Sequence, residues 1–159
     1  MKTLIVDDST IQRQFICASL HNHPIIKEFI EAENGIEAIK LLQKHKDIDL
    51  IITDYNMPLM NGLEVIKKVR SDNKLSHLPI IIISAEVKKE NMLEAIVAGA
   101  NMEILKPFTK TDLLKSIEYV LKVENKEPDH EDIGQLKIRI KQLQIENTEL
   151  KKEIKRLKS

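Results

Sequence analysis

Ile48-Asp49-Leu50-Ile51-Ile52-Thr53-Asp54-Tyr55-Asn56-Met57-Pro58 is a short apolar run, rich in β-branched residues, that delivers a carboxylate at its end and closes at Asn61-Gly62. Such a run reads as a strand buried on both faces, the pattern of a parallel sheet covered by helices. Pro58 and Asn61-Gly62 stop the strand and turn the chain. Ligands of open parallel sheets bind just outside the carboxyl ends of the strands. Asp54 is therefore the first residue to consider for chemistry.

Outward from this strand the pattern repeats. Residues 4–6 form a short strand ending at Asp7-Asp8, and Ser9 with Gln12 reads as a capping box opening a helix to about residue 21. A second strand is expected over 25–32, interrupted by charges and so near an edge. Asn34-Gly35 turns into a helix to about residue 46, and a further helix runs over 62–71. Ile80-Ile81-Ile82-Ile83 is the strongest strand signal and ends at Ser84-Ala85. A helix over 89–98 is capped by Gly99, a fifth strand covers 102–106, and Thr109 with Asp112 opens a last helix to about residue 122. Strands alternating with crossover-length helices give an α/β, doubly wound, five-stranded parallel sheet with five helices. Right-handed crossovers with the richest strands central suggest the order 2-1-3-4-5.

Folded in parallel, the strand ends collect Asp7, Asp8, Asp54, Ser84 and Lys106 on one rim. Neighbouring carboxylates repel and call for a cation. Oxygen donors without His or Cys point to a hard ion, Mg²⁺ first and Mn²⁺ as its substitute. Lys106 supplies a point charge and Ser84 a hydroxyl for a phosphoryl group delivered to Asp54.

Composition sets the frame. The chain has 159 residues, enough for one ordinary domain and an appendage, with 42% hydrophobic but only 3% aromatic residues, so aliphatic packing dominates the core. Lys+Arg and Asp+Glu balance at 25 each, which argues against nonspecific nucleic-acid binding as the main business. The single cysteine, Cys17, reads as a small core residue. The five histidines lack metal-ligand spacing and read as solvated. Neither a signal peptide nor a membrane span is expected, and a cytoplasmic protein is the default.

Val6-Asp7-Asp8-Ser9, Asp54-Tyr55-Asn56-Met57-Pro58-Leu59-Met60-Asn61-Gly62, Ser84-Ala85 and Lys106-Pro107-Phe108 together resemble the receiver domain of bacterial response regulators, over residues 1–122. The resemblance implies a flavodoxin-like fold and supports the strand order above. It implies that Asp54 accepts phosphoryl from a cognate histidine kinase. Asp8 would ligate Mg²⁺ directly and Asp7 through water, with Asp54 and the Asn56 backbone carbonyl completing the protein ligands. Ser84 and Lys106 would hold the phosphoryl oxygens, and the Lys106-Pro107 bond would be cis. Small Ala85 would leave the phosphoryl group accessible, and Asn56 with Glu86 matches chemotaxis-type receivers that quickly hydrolyse their own phosphoaspartate. The chain would catalyse only its own phosphorylation and dephosphorylation. At the position where many receivers carry an inward-turning aromatic, this chain has Glu103, read as a solvated edge-strand residue in preference to a charged switch.

Beyond residue 122 the composition changes. Residues 123–132 are polar, acidic and broken by Pro128, the profile of a linker. Residues 133–158 carry a strict heptad, with Ile133, Ile140, Asn147 and Ile154 at a and Leu136, Leu143, Leu150 and Leu157 at d. Ile at a, Leu at d and one Asn at a favour a parallel dimeric coiled coil. Its g and e positions set Glu146 against Lys151 and Glu153 against Lys158. Ile138 and Ile145, at f, instead favour a helix docked on its own receiver. A basic-zipper role is excluded by the acidic approach to the heptads.

The leading expectation is a coiled-coil-dimerised response regulator that switches binding to an output protein, without membrane or nucleic-acid contact. A DNA-associated transcriptional regulator is the first alternative. An aspartyl-nucleophile phosphohydrolase is the second, weakened because Ser9 stands two residues after Asp7, where that chemistry needs a second carboxylate.

Overall fold

The structure, a computed structural model, describes residues 1–85 and 89–124. In chain order the elements are β1 (Lys2–Val6), α1 (Thr10–Leu20), β2 (Glu28–Ala32), α2 (Gly35–Lys44), β3 (Leu50–Asp54), α3 (Gly62–Ser71), β4 (Ile80–Ser84), α4 (Lys89–Ala98), β5 (Met102–Leu105) and α5 (Lys110–Glu124). The strands are parallel and stand in the order β2-β1-β3-β4-β5. The chain divides into two compact units, Met1–Lys122 and Val123–Ser159. The first two residues of the expected linker belong to α5; the rest of that linker and the expected coiled coil lie outside the described residues.

The apolar runs become central strands because both faces of the sheet are covered. Successive residues of a strand point to opposite sides. Leu4, Val6, Ile51, Ile80 and Ile82 pack with Ala38, Leu42, Val65, Ile66, Val69 and Ala95 from α2, α3 and α4. The alternate set, Ile5, Leu50, Ile52, Ile81 and Ile83, packs with Ile16, Leu20, Leu113 and Ile117 from α1 and α5. Right-handed crossovers dictate this division: the chain moves one way from β1 to β2 and the other way from β2 through β5. The reversal of direction lies between β1 and β3, where an open sheet offers a crevice.

Helices α2 and α3 both open where the sequence reading put them, at Gly35 and Gly62, and their caps show why. Asn34-Gly35 and Asn61-Gly62 are N-caps rather than turns: Asn34 Oδ1 accepts from Glu37 N–H at 2.9 Å and Asn61 Oδ1 from Glu64 N–H at 2.9 Å. Glu64 returns a bond to the Asn61 amide, completing a capping box. Gly62 follows its cap because a Cβ there would collide with the carbonyl oxygen of Asp54. The helix start and the end of β3 are thus in direct backbone contact.

Far from that rim, Arg70 in the last turn of α3 gathers the opposite pole. Its Nε donates to the Gly99 carbonyl at 2.9 Å, Nη1 to Ser76 and Leu78 carbonyls at 2.9 and 2.7 Å, and Nη2 to Asn101 Oδ1 at 2.9 Å. Asn101 Oδ1 also accepts from the Ile80 amide that opens β4. Gly99, at φ 114°, ends α4 in a Schellman motif, with Ala100 N–H returning to Ala95 O and Gly99 N–H to Ile96 O.

Two boundaries and one histidine depart from the sequence reading. Strand β2 begins at Glu28 rather than 25, because the Ile25 and Ile26 amides are turned away from the sheet. Both donate to His23 Nδ1, at 3.3 Å each. Helix α2 stops at Lys44 because His45 is already extended. His23 is 8% exposed, not solvated: its Nδ1 accepts from the loop that leads into β2 and holds the ring neutral. Burial keeps its pKa below 6.5, against the opposing pull of Glu118. A histidine whose folded pKa is depressed stabilises the fold above its unfolded pKa and penalises it as pH falls below that value. The urea midpoint of the chain is accordingly expected to fall between pH 7.5 and pH 5. His23→Asn, which keeps an acceptor but cannot protonate there, should lose less over the same interval.

Candidate functional site

Three strands end at the crevice and each leaves a charged group there. Asp7 follows β1, Asp54 closes β3 and Lys106 follows β5. Asp7 is 1% exposed and Asp54 5%, so both carboxylates are desolvated. The Lys106 ammonium lies between them, 2.6 Å from Asp54 Oδ1 and 3.3 Å from Asp7 Oδ2. The other oxygen of Asp54 accepts from the Asn56 amide at 2.8 Å, and that of Asp7 from the Ser9 amide at 2.8 Å. Every carboxylate oxygen of the pair therefore has a donor, the condition for burying such charge.

Backbone contacts fix Asp54 from behind. The Tyr55 amide donates to the Ile83 carbonyl at 2.7 Å and the Gly62 amide to the Tyr55 carbonyl at 2.9 Å. Between them Leu59 adopts φ 68° in a tight turn closed by Met60 N–H to Pro58 O at 2.8 Å. Positive φ at a side-chain-bearing residue is strained. Leu59 is also 78% exposed, so packing of its side chain does not offset that strain.

The charges act on one another. Burial raises the pKa of Asp54, and the nearby Asp7 charge adds to it, against the hydrogen bond and charge of Lys106. For Lys106, burial works against its charge, but Asp54 and Asp7 outweigh it and raise the pKa above 10.5. The lysine is thus a permanent cation and the aspartate a poorly solvated anion, a combination typical of reactive sites.

The remaining predicted residues fall on the same rim or beside it. Ser84 is buried at the end of β4, and its carbonyl accepts from the Lys106 amide at 2.7 Å. Ala85 is exposed next to it, and the Lys106-Pro107 bond is cis. Asp8 is exposed at the mouth of the site. Among the described residues no group of three or more His, Cys, Asp or Glu side chains could hold a metal ion. The converging set is instead two carboxylates and a lysine. Glu86 lies outside the described residues. Phe108 meets Phe15 of α1 edge to face, ring centres 5.7 Å apart, walling one side.

Residues 3–118 match the response regulator receiver domain family. The chain belongs to this family. As a receiver it is 45% identical, over 123 residues, to a chemotaxis protein CheY homolog of Campylobacter jejuni, the match covering 76% of this chain and 92% of that protein. It is 44% identical over 121 residues to chemotaxis protein CheY1 of Helicobacter pylori, covering 76% and 97%. The receiver fold is shared with the solved structure of the chemotaxis response regulator CheY4 of Vibrio cholerae: TM-score 0.69, 36% identity, 75% of this chain and 97% of that one. A CheY-like receiver domain protein of Methanospirillum hungatei gives TM-score 0.71 at 26% identity, covering 79% and 97%. No helix among the described residues is long and apolar enough to cross a membrane.

Sequence reasoning missed Arg13, whose guanidinium bonds the Asp7 carbonyl at 2.7 Å, and misread Glu103. The signal for Arg13 was available, since it lies six residues after Asp7 on a helix that starts at the same rim. Glu103 is not simply solvated. Paired with Ile82 in register, it points to the face of the sheet covered by α4, and its Oε2 is buried without a hydrogen-bond partner among the described residues. Burial raises its pKa. A carboxyl whose folded pKa is raised favours the fold at low pH and weakens it as pH rises through that pKa. Glu103→Gln is expected to raise the thermal midpoint at pH 7, with the gain shrinking as pH falls toward ~4.3, the ordinary glutamate value. An equal shift at both pH values would show that the charge is not the cause.

Proposed function

We propose that this receiver is a phosphorylation switch in which Asp54 takes a phosphoryl group from a histidine kinase. The observation that carries the reading is the Lys106 ammonium, 2.6 Å from Asp54 Oδ1 and close to a second buried carboxylate. An Asp54 oxygen attacks phosphorus as the bond to the donor's imidazole nitrogen breaks. Lys106, charged at all working pH values, then has phosphoryl oxygens to pair with in place of the bare carboxylate. Ser84 would offer its hydroxyl to the same group.

The donors are all oxygens, the chemistry of a hard divalent ion, with two carboxylates converging among the described residues. Asp7 Oδ2 and Asp54 Oδ1 already converge on one cationic group, exposed Asp8 follows Asp7 directly, and the Asn56 carbonyl would add a further oxygen. Few protein ligands with room for water is the Mg²⁺ pattern, and Mn²⁺ accepts the same donors. Bound there, the ion would neutralise charge on the transferring group.

The expected result with acetyl phosphate and Mg²⁺ is an adduct of one phosphoryl group, measured by intact-mass spectrometry. Asp54→Asn should give none, and Lys106→Ala should slow the reaction roughly a hundredfold, as removal of a charge-stabilising donor does elsewhere. Asn56 and Glu86 favour fast self-hydrolysis, so the adduct should decay within minutes. Phosphorylation of Asp54→Asn at the wild-type rate would falsify the reading.

Output would be altered binding to a cytoplasmic protein through the α4, β5 and α5 surface, where Leu105 and Tyr119 are exposed. The heptads of 133–158 support a parallel homodimer of modest strength, the segment being about 38 Å long at ~1.5 Å per residue. Sedimentation of the whole chain is expected to show a concentration-dependent dimer. A chain ending at residue 124 should remain monomeric, and a dimer there would remove the coil from the account.

A further inference from the structure

Asp7 is held at four atoms. Its amide donates to the Ala32 carbonyl at 3.1 Å, Oδ1 accepts from Ser9 N–H, Oδ2 faces Lys106, and its carbonyl oxygen accepts from Arg13 Nη1 at 2.7 Å. The last contact comes from outside the acidic motif. Arg13 lies on α1, and its Nε donates to Oε2 of Glu31, on β2, at 2.8 Å. Its Nη2 reaches Thr10 Oγ1 at 3.2 Å. The side chain is only 13% exposed. One guanidinium therefore joins α1, β2 and the end of β1.

The carbonyl it holds belongs to the peptide unit linking Asp7 to Asp8. Since a peptide is planar, anchoring that oxygen fixes the plane from which the Asp8 backbone departs. The Asp7 amide, tied to β2 through Ala32, fixes the preceding plane. The backbone on both sides of the Asp7 Cα is thus clamped by β2 and by an arginine that β2 itself braces.

We propose that Arg13, braced by Glu31, is a positioning residue for the acidic pair, holding the Asp7-Asp8 peptide in the orientation from which both carboxylates receive a divalent cation. This rests on the Mg²⁺-dependent reading above. Charge and geometry make opposite demands on it. A guanidinium beside a cation site repels the incoming ion, so removing it for charge alone would tighten binding. Removing it as a brace loosens binding, since groups that orient metal ligands are typically worth ten- to hundredfold in affinity.

The test uses the full-length chain with Arg13→Gln, Arg13→Lys and Glu31→Gln. Mn²⁺ binding is followed by the electron paramagnetic resonance signal of the free ion. Acetyl-phosphate phosphorylation is measured across Mg²⁺ concentrations, and thermal midpoints are recorded for each chain. Arg13→Gln is expected to raise the Mn²⁺ dissociation constant about tenfold. Most of its loss of rate should appear in the Mg²⁺ concentration for half-maximal rate, and the lesser part in the saturated rate. Arg13→Lys, which keeps a donor, should recover part of the affinity, and Glu31→Gln should lose less than Arg13→Gln. Unchanged or tighter Mn²⁺ binding in Arg13→Gln overturns the proposal, as does a loss that simply follows the thermal midpoints. Wild-type chain that binds no Mn²⁺ overturns the Mg²⁺-dependent reading together with this one; a binding wild type with unaffected variants overturns only the role of Arg13.

Discussion

Two carboxylates buried side by side are tolerable only with positive charge between them, and Lys106 supplies it. At close range and low local dielectric, like charges repel by several kcal/mol, far more than any single packing contact returns. The fold is arranged to meet this constraint. Parallel strands bring their carboxyl ends to one edge. The reversal of winding between β1 and β3 opens the crevice there, and β5 ends where its lysine can reach across. Removing Lys106 would leave two desolvated anions facing each other, so the group proposed to pair with a phosphoryl ligand is also the one that keeps the carboxylates together.

Much of this was legible in the chain. β1, β3 and β4 were readable because strands buried on both faces carry near-continuous apolar runs, and such runs have few other interpretations. Asp54 could be placed because it closes such a strand, and Lys106 because it ends a short apolar run stopped by Pro107. The misread parts depend on side chains answering backbone groups some distance away. Ile25 looked like the start of a strand because it is β-branched, yet its amide belongs to His23, and no periodicity reveals that. Asn34 and Asn61 were read as turn formers ahead of helices that were placed correctly, and the glutamate three residues after each would have identified them as caps. Glu103 looked solvated because β5 is an edge strand, but α4 covers that face, and coverage follows from the crossover rather than from the residues of β5.

The site also shows where local rules give way. Leu59 occupies a backbone conformation that suits glycine or asparagine, in the turn that returns the chain from Asp54 to α3. Gly62 closes the same turn against the Asp54 carbonyl. A few residues after Asp54 thus combine strain with close backbone contact. This is how a short connection can hold a reactive carboxylate rigidly without the help of a large side chain.

Arg70 grips α4 at its C-terminal end. Its bond to the Gly99 carbonyl fastens the C-terminal end to α3 and to the start of β4, while the opposite end emerges beside the crevice. Ten residues of helix span roughly 15 Å, so this fastening stands a helix-length away from the end that follows β4, with Ala95 buried in the core and Glu94 paired to Lys67 in between.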